Sequence, residues 1–523
     1  MAIRNHRLAA LIFFGLMAVL HSWPLASDPV HLARLDNHDA ELNTWIVSWA
    51  AHILPRAPLS LFEAPIFYPE HHSLAFSEHM IVPDVIGAPF AWLGASPVLV
   101  YNLLIMIGLA LSGWSMYLLM TRWTGSVSAG VIAGLVYAFN AHVLTRFVHL
   151  QAQHVEFFPL MLYALDRVLT GRKLRDAGWL ALAFVLQSLC SNYLLVFMTY
   201  ALVVAVAVRW KEFKPALPQL AVAGVISVIL LAPFLWPYYQ VDQAQHLARG
   251  VDVVARYNAG WRDYLVTGGR LHFAWWSHVF YEGRTALFPG VTALLLCGVA
   301  VFSTRGLKDP RIRMAVAIGI LGVALSFGTS LPGYGVLHQF LPLLSGLRNV
   351  ARWGWLALAA VGILAGFGAA RLSRGLQIAV GILVTIESIR TPVGFTRFEG
   401  IPHFYDRLAS IPNLVLAEFP FYSGASVSFN GPYELANTKY FQPLLNGYSS
   451  FHPESFEARG RVLATFPSEP ALAELRVTKV THVTVHTQAF ARRYGQAALK
   501  AVDTIPELEF VVEEDGIRLY RLK

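Results

Sequence analysis

The sequence predicts a mainly α-helical, polytopic membrane protein with about eleven transmembrane helices and a small C-terminal α/β domain outside the membrane. Three observations predict it. The 523 residues are 56% hydrophobic and only 14% charged, with mean hydropathy +0.50, where a soluble chain carries about 25% charged residues. Apolar runs approaching the roughly 20 residues needed to cross a bilayer recur from residue 8 to residue 391. The connections between them alternate between short basic stretches and long mixed ones.

The first apolar run follows MAIRNHR and reads LAALIFFGLMAVL, with PLAS after it. That pattern also resembles a signal peptide. The near-spanning length and the many runs that follow favour an uncleaved first helix. The expected spans are 8–27, 98–120, 126–141, 156–170, 178–191, 193–208, 217–237, 287–303, 313–329, 352–370 and 375–391. The pair 178–208 reads as a tight helical hairpin turning at Ser191 to Tyr193.

Placing the N-terminus in the cytoplasm puts TGRKLRDAG, RWKEFKPA, STRGLKDPRIR and RLSRG on the cytoplasmic side, as the positive-inside rule requires. The net charge of +8 is accounted for by these loops, so nucleic acid is not an expected partner. Loops 28–97, 142–155, 238–286 and 330–351, and the tail from 392, then lie outside. The expected domains are therefore a transmembrane domain, 1–391, and an extracytoplasmic α/β domain, 392–523. In the tail, short strand-like runs occur at LVLAEF, KVTHVTVH and LEFVVEEDGIRLYRL, with turn signals at NGPY and NGYSS. Cys190 and Cys297 both lie in apolar runs and read as buried thiols rather than a disulfide.

The polar residues gather in the outer loops. In the first, Asp36 and Asp39 precede an amphipathic run whose Leu42, Trp45, Ile46, Trp49 and Ile53 share one helical face. Such a helix is expected to lie flat in the interface with its tryptophans at headgroup level. An aspartate at a helix start also serves as an N-cap, and Asp39, nearer the start, fits that role better than Asp36. The second outer loop holds His142, Arg146, His149, Gln151, Gln153, His154 and Glu156. His149, His154 and Glu156 are nitrogen and oxygen donors suited to several divalent ions, and equally read as a polar interfacial loop. In loop 238–286 the residues Arg249, Arg256, Arg262, Arg270 and Arg284, with His246, His272 and His278, run against the positive-inside bias. Arg348 and Arg352 add an i, i+4 pair. Guanidinium groups bind phosphate bidentately, so Arg256, Arg262, Arg348 and Arg352 read either as lipid-phosphate ligands or as contacts to anionic headgroups. P-loop, dinucleotide and zinc-type motifs are missing from the sequence.

The chain resembles the C-type glycosyltransferase superfamily (GT-C), and a bacterial branch of it, through DNHDAELNTWIVSW, FYPEHHSLAFSEH, RFVHLQAQHVEFFPL, RYNAGWRDYL, LFPGVTALLL, LRNVARWGW and LLNGYSSFHP in that order. The resemblance implies a glycosyltransferase, hexosyl or pentosyl, of the bacterial inner (cytoplasmic) membrane. It implies a polyprenyl-phosphate sugar donor, and a cell-envelope glycan, lipid or protein acceptor on the outer face. It implies Asp36 or Asp39 as catalytic base, with Asp36 favoured, assisted by His149, His154 and Glu156. The two carboxylates are separated by Asn37 and His38, a departure from the commoner acidic pair that leaves open both the choice of base and dependence on a divalent cation such as Mg or Mn. Two other readings stand beside this one: a transporter or flippase of lipid-linked sugars, and a non-catalytic membrane assembly factor. Transporters place charges and broken helices at mid-membrane, whereas here the polar residues lie in the loops.

Overall fold

A computed structural model describes residues 2–34, 37–245, 250–281, 283–304, 306–341 and 343–523. Asp36, His246 and Arg249 fall outside the described residues. Each of the eleven apolar segments overlaps a helix: Ala2–Ser22, Pro97–Thr124, Val127–Ala138, Phe157–Gly171, Leu174–Ser188, Asn192–Ala207, Trp210–Gln245, Val291–Phe302, Pro310–Ser326, Gly354–Ala369 and Arg374–Ser388. Among the described residues, three stretches, Pro97–Thr124, Trp210–Gln245 and Val350–Ala369, are long and apolar enough to cross a membrane. Val127–Ala138 and Val291–Phe302 have 12 residues each. At 1.5 Å per residue that is about 18 Å, short of a hydrocarbon core of about 30 Å.

The chain divides into two compact units. The first comprises Met1–Pro29, Asn102–Phe234 and Ala248–Phe395, and is a helix bundle. Its helix Gly354–Ala369 packs against Val127–Ala138, Val291–Phe302 and Pro310–Ser326. The stretch Val350–Ala369 is accordingly 89% buried, while the apolar window in Trp210–Gln245 is 17% buried. Val225, Val228 and Ile229 on that helix point outward, an apolar surface suited to lipid. Close helix approach depends on glycine. A Cβ on Gly113 or Gly134 would lie 2.4 Å from the ring of Phe14, which is fully buried.

The basic loops do structural work as well as setting topology. Arg209 is 2% exposed and ion-pairs with Asp166 at 2.7 Å and with Glu212. The second oxygen of Asp166 pairs with Arg311 at 2.8 Å, and Arg167 pairs with Asp176 at 2.8 Å. At the expected hairpin, Ser191 caps the helix Asn192–Ala207, its hydroxyl accepting from Tyr193 N at 3.1 Å.

The second unit comprises Val30–Tyr101, Leu235–Leu247 and Thr396–Lys523. Loop 30–101, which the sequence reading joins to 1–391, thus lies with the C-terminal segment. The strands Leu32–Ala33 (β1) and Thr396–Arg397 (β2) pair antiparallel. Leu416–Phe419 (β3), His482–His486 (β4), Leu508–Glu514 (β5) and Ile517–Leu522 (β6) form a sheet of order β3-β4-β6-β5. β3 and β4 are parallel, and the other pairs are antiparallel. Asp515 and Gly516, with φ of 53° and 73°, make the two-residue turn that an Asp-Gly pair favours between β5 and β6. The expected strand runs fall on these strands.

The helix His38–Ile53 corrects an expectation. It does not lie with one face free: Trp45 is 0% and Trp49 5% exposed, and Asn43, Thr44, Val47, Ala50 and Ala51 are buried too. Trp45 Nε1 donates to Asn437 Oδ1 at 3.3 Å and Trp49 Nε1 to the Leu61 carbonyl at 2.8 Å. The helices Ile81–Trp92 and Gly431–Asn437 pack on it. The tryptophans are core residues because a segment nearly 400 positions downstream covers the face the local sequence leaves apolar.

Candidate functional site

In the second unit, the candidate chemistry centres on the first turn of helix His38–Ile53. Asn37 is the N-cap, its Oδ1 accepting from Asp39 N at 2.9 Å. The capping role assigned to Asp39 is therefore filled by its neighbour. The Asp39 carboxylate instead accepts from the Tyr448 hydroxyl at 2.5 Å. Asp39 is half-buried. His38 Nδ1 lies 2.7 Å from Glu41 Oε2, and the amide of Tyr448 donates to Glu434 Oε1 at 2.5 Å. Burial, reinforced by the nearby Glu41 charge, pushes the Glu434 carboxyl well above the usual carboxylate range. Gly431 lets its chain approach this turn: a Cβ there would sit 2.5 Å from Glu41 Oε2. In the sequence NGPY and NGYSS are turn signals. Their asparagines do tie loops, Asn430 to the Tyr422 and Gly447 carbonyls and Asn446 to both backbone groups of Glu418. The segments also deliver Gly431 and Tyr448 to the acidic turn, and no local periodicity reports that.

In the first unit, His142, Arg146, His149, Gln151, Tyr193, Arg352 and Trp355 line one pocket. The Arg352 guanidinium sits 4.5 Å from the centroid of the Tyr193 ring, and its Nε is buried with no hydrogen-bond partner among the described residues. His142 Nδ1 is likewise buried and unpartnered among them. Burial first, and then the charges of Arg146, Arg352 and His149, hold the His142 imidazole well below its ordinary range, so it stays neutral. Two guanidinium groups, of Arg146 and Arg352, line the same pocket as this ring. Tyr193, at the expected hairpin turn, stacks on Arg352 and accepts from Asn349 N at 2.9 Å.

The other expected residues separate. His154 is fully buried, with Nδ1 3.1 Å from Glu156 Oε1 and Nε2 3.1 Å from the Leu104 carbonyl. This pair ties the loop to helix Pro97–Thr124, while His149 lines the arginine pocket. Among the described residues no three His, Cys, Asp or Glu side chains could hold a metal ion. Arg348 precedes the 3-10 turn Val350–Trp353 and lies over Tyr257 at 5.3 Å. The irregular backbone breaks the i, i+4 face expected of it with Arg352. Arg256 is exposed, and so is Arg262, which stacks on Trp261 at 5.3 Å. Arg270 bonds to the Thr391 and Pro392 carbonyls, and Arg284 lies 3.6 Å from Asp263.

No family model and no curated protein sequence matches the chain. Solved structures do. The arabinofuranosyltransferase AftD from Mycobacteria matches over 99% of this chain at TM-score 0.64 and 14% identity. The chain spans 40% of the length of that protein. ArnT from Cupriavidus metallidurans matches over 98% of this chain and 97% of its own at TM-score 0.50, with 14% identity in its apo state and 13% in its undecaprenyl phosphate-bound state. Both neighbours are GT-C glycosyltransferases. The fold of the chain is the GT-C fold.

Proposed function

We propose that this GT-C-fold chain is a membrane glycosyltransferase that moves a sugar from a polyprenyl-phosphate donor to an acceptor hydroxyl on the outer face of the bacterial cytoplasmic membrane. The observation that carries the reading is the pocket in which Arg352 and Arg146 converge with His142 and His149 inside an apolar bundle. It offers cationic donors beside apolar helices, which is what a phosphate carried on a lipid tail requires. ArnT bound to undecaprenyl phosphate supports a ligand of that class.

In the proposed reaction an acidic residue of the first loop takes the proton of the acceptor hydroxyl as its oxygen attacks the anomeric carbon. The new O–C1 bond forms as the C1–O bond to phosphate breaks, with inversion, and the lipid phosphate leaves with both electrons. Arg352 and Arg146 stabilise the charge that develops on the departing phosphate, with Arg256, Arg262 and Arg348 as outer phosphate contacts. Asp36 and Asp39 remain the two candidates for the base. The capping of the helix by Asn37 removes the reason for preferring Asp36.

The test is reconstitution in nanodiscs with radiolabelled polyprenyl-phosphate sugars and envelope acceptors. Asp36→Asn or Asp39→Asn, whichever alters the base, is expected to lower transfer about 10²–10⁴-fold. Arg352→Lys is expected to weaken donor use about tenfold or more, because lysine lacks the planar fork and the stacking surface. Transfer unchanged in Asp36→Asn, Asp39→Asn and the double variant would falsify the assignment. A chelator added to the same assay separates arginine from a divalent cation as the holder of the leaving-group charge.

A further inference from the structure

The second unit contains a cleft of about 800 Å³, within the range of small-molecule sites, about 300–1,000 Å³. Its walls are the first turn of helix His38–Ile53 at Glu41, the segment 396–402, the helix Gly431–Asn437 and the end of β4 at His486. None of the residues in the acidic turn or the arginine pocket explains its most organised feature, a hydrogen-bonded group at its base.

Glu418 on β3 is fully buried. Its Oε2 accepts from the Tyr405 hydroxyl at 2.7 Å, from the Thr484 hydroxyl at 3.2 Å and from His486 Nε2 at 2.7 Å. A carboxylate on Nε2 fixes the ring tautomer and orientation, leaving the lone pair of the neutral ring on Nδ1. Among the described residues Nδ1 has no hydrogen-bond partner, and the His486 side chain, 22% exposed, lines the cleft. Its ring also lies tilted against that of Tyr433, with centroids 4.7 Å apart. Two residues on, Gln488 is exposed on the same wall and offers both an amide donor and an acceptor.

The charges decide the ligand class. Glu41, Glu399 and Asp515 line the cleft against a single cation, Arg397, which pairs with Glu399 at 3.2 Å. An anion is disfavoured there. Fixed acceptors, an amide and carboxylates, together with the aromatic rings of Phe398 and Tyr433, suit a ligand rich in hydroxyls with an apolar C–H face.

We propose that this cleft binds an uncharged sugar residue, held by His486 Nδ1, set in place by Glu418, and by the Gln488 amide. On the transfer reading above, on which this clause alone rests, that sugar belongs to the acceptor, since Glu41 on the cleft wall is two residues from Asp39.

The experiment is saturation-transfer NMR on the whole chain in nanodiscs, free of sugar detergents. The probes are the methyl glycosides of mannose, glucose, galactose and arabinofuranose, with methyl glucuronide as the anionic control. At least one neutral glycoside is expected to bind and the glucuronide not to. Gln488→Ala, an exposed change that leaves the fold intact, and His486→Ala are each expected to weaken binding at least fivefold. Binding of no neutral glycoside, preference for the glucuronide, or binding indifferent to Gln488→Ala overturns the proposal. Because no donor is present, binding is read whether or not the chain transfers sugar. If transfer fails while binding holds, the acceptor clause falls and the sugar site stands.

Discussion

At the residue scale, the aspartate nearer the helix has a partner that distinguishes it from a cap. The Tyr448 hydroxyl donates to Asp39 at 2.5 Å, and a hydrogen bond to a charged group is worth about 1.5–3 kcal/mol. If Asp39 is the base, Tyr448→Phe should lower transfer about ten- to a hundredfold while changing the apparent donor affinity little. An unchanged rate, measured in the nanodisc assay, would remove Tyr448 from the machinery. A second residue sets acid sensitivity. His79 is buried, with Nδ1 3.1 Å from the Tyr238 hydroxyl and Nε2 unpartnered among the described residues. Burial pushes its imidazole down to about 4 from 6.5. The folded state thus resists protonation that the unfolded chain accepts, so its contribution is present above pH 6.5 and is lost as pH falls to about 4. At about 1.4 kcal/mol per pH unit the loss approaches about 3 kcal/mol. Glu434, with its carboxyl raised, acts in the opposite sense: its contribution is present at low pH and is lost as pH rises above the ordinary carboxylate value. The informative measurement is therefore the difference in Tm between the natural chain and His79→Gln across pH 4 to 7. That difference should shrink or reverse on acidification, and a difference independent of pH would contradict the assignment.

At the scale of elements, two positions carry more than the local sequence says. The helix His38–Ile53 has the amphipathic pattern of an interfacial helix, yet it is buried on nearly every side. Periodicity identifies a helix and its most apolar stripe, but it cannot say which segment covers the remaining faces. The helix ends at Asp166, Arg209 and Arg311 show the same limit. The sequence marks these arginines as topological signals, and the fold also buries one of them in an ion network. Removing one partner of a buried pair leaves an uncompensated charge and costs about 3–5 kcal/mol. Asp166→Ala should therefore lower Tm markedly in nanodiscs, whereas Arg313→Ala, which removes a half-buried side chain bonded among the described residues to the Leu307 and Lys308 carbonyls, should not. Equal effects would mean that the network is dispensable.

At the scale of the whole molecule, the proposed orientation rests on the basic loops. It is open to direct measurement with single cysteine reporters in a chain whose Cys190 and Cys297 are replaced by alanine. In oriented vesicles or intact cells, a cysteine at Gln488 should react with an impermeant maleimide from the outer side. One at Lys173 should react only after the membrane is opened. The reverse pattern would invert the topology and move the proposed reaction to the cytoplasmic face.

Composition and periodicity by themselves determined that the chain is a bundle of apolar helices followed by a segment of short strands, because the period and length of apolar runs follow from local backbone geometry. They also singled out Asp39, Arg352 and His149 as residues to watch, since charge in an apolar chain is conspicuous wherever it falls. Only the tertiary structure decided their company. It capped the helix with Asn37, set Tyr448 against Asp39, moved His154 and Glu156 into a buried pair, divided Arg348 from Arg352, and built the Glu418–His486 group from strands 66 residues apart in pairing. The contacts of Tyr448, Arg348, Arg352 and Glu418 join residues far apart in the chain. Long-range packing creates them, and a pattern read a few turns at a time carries no record of it.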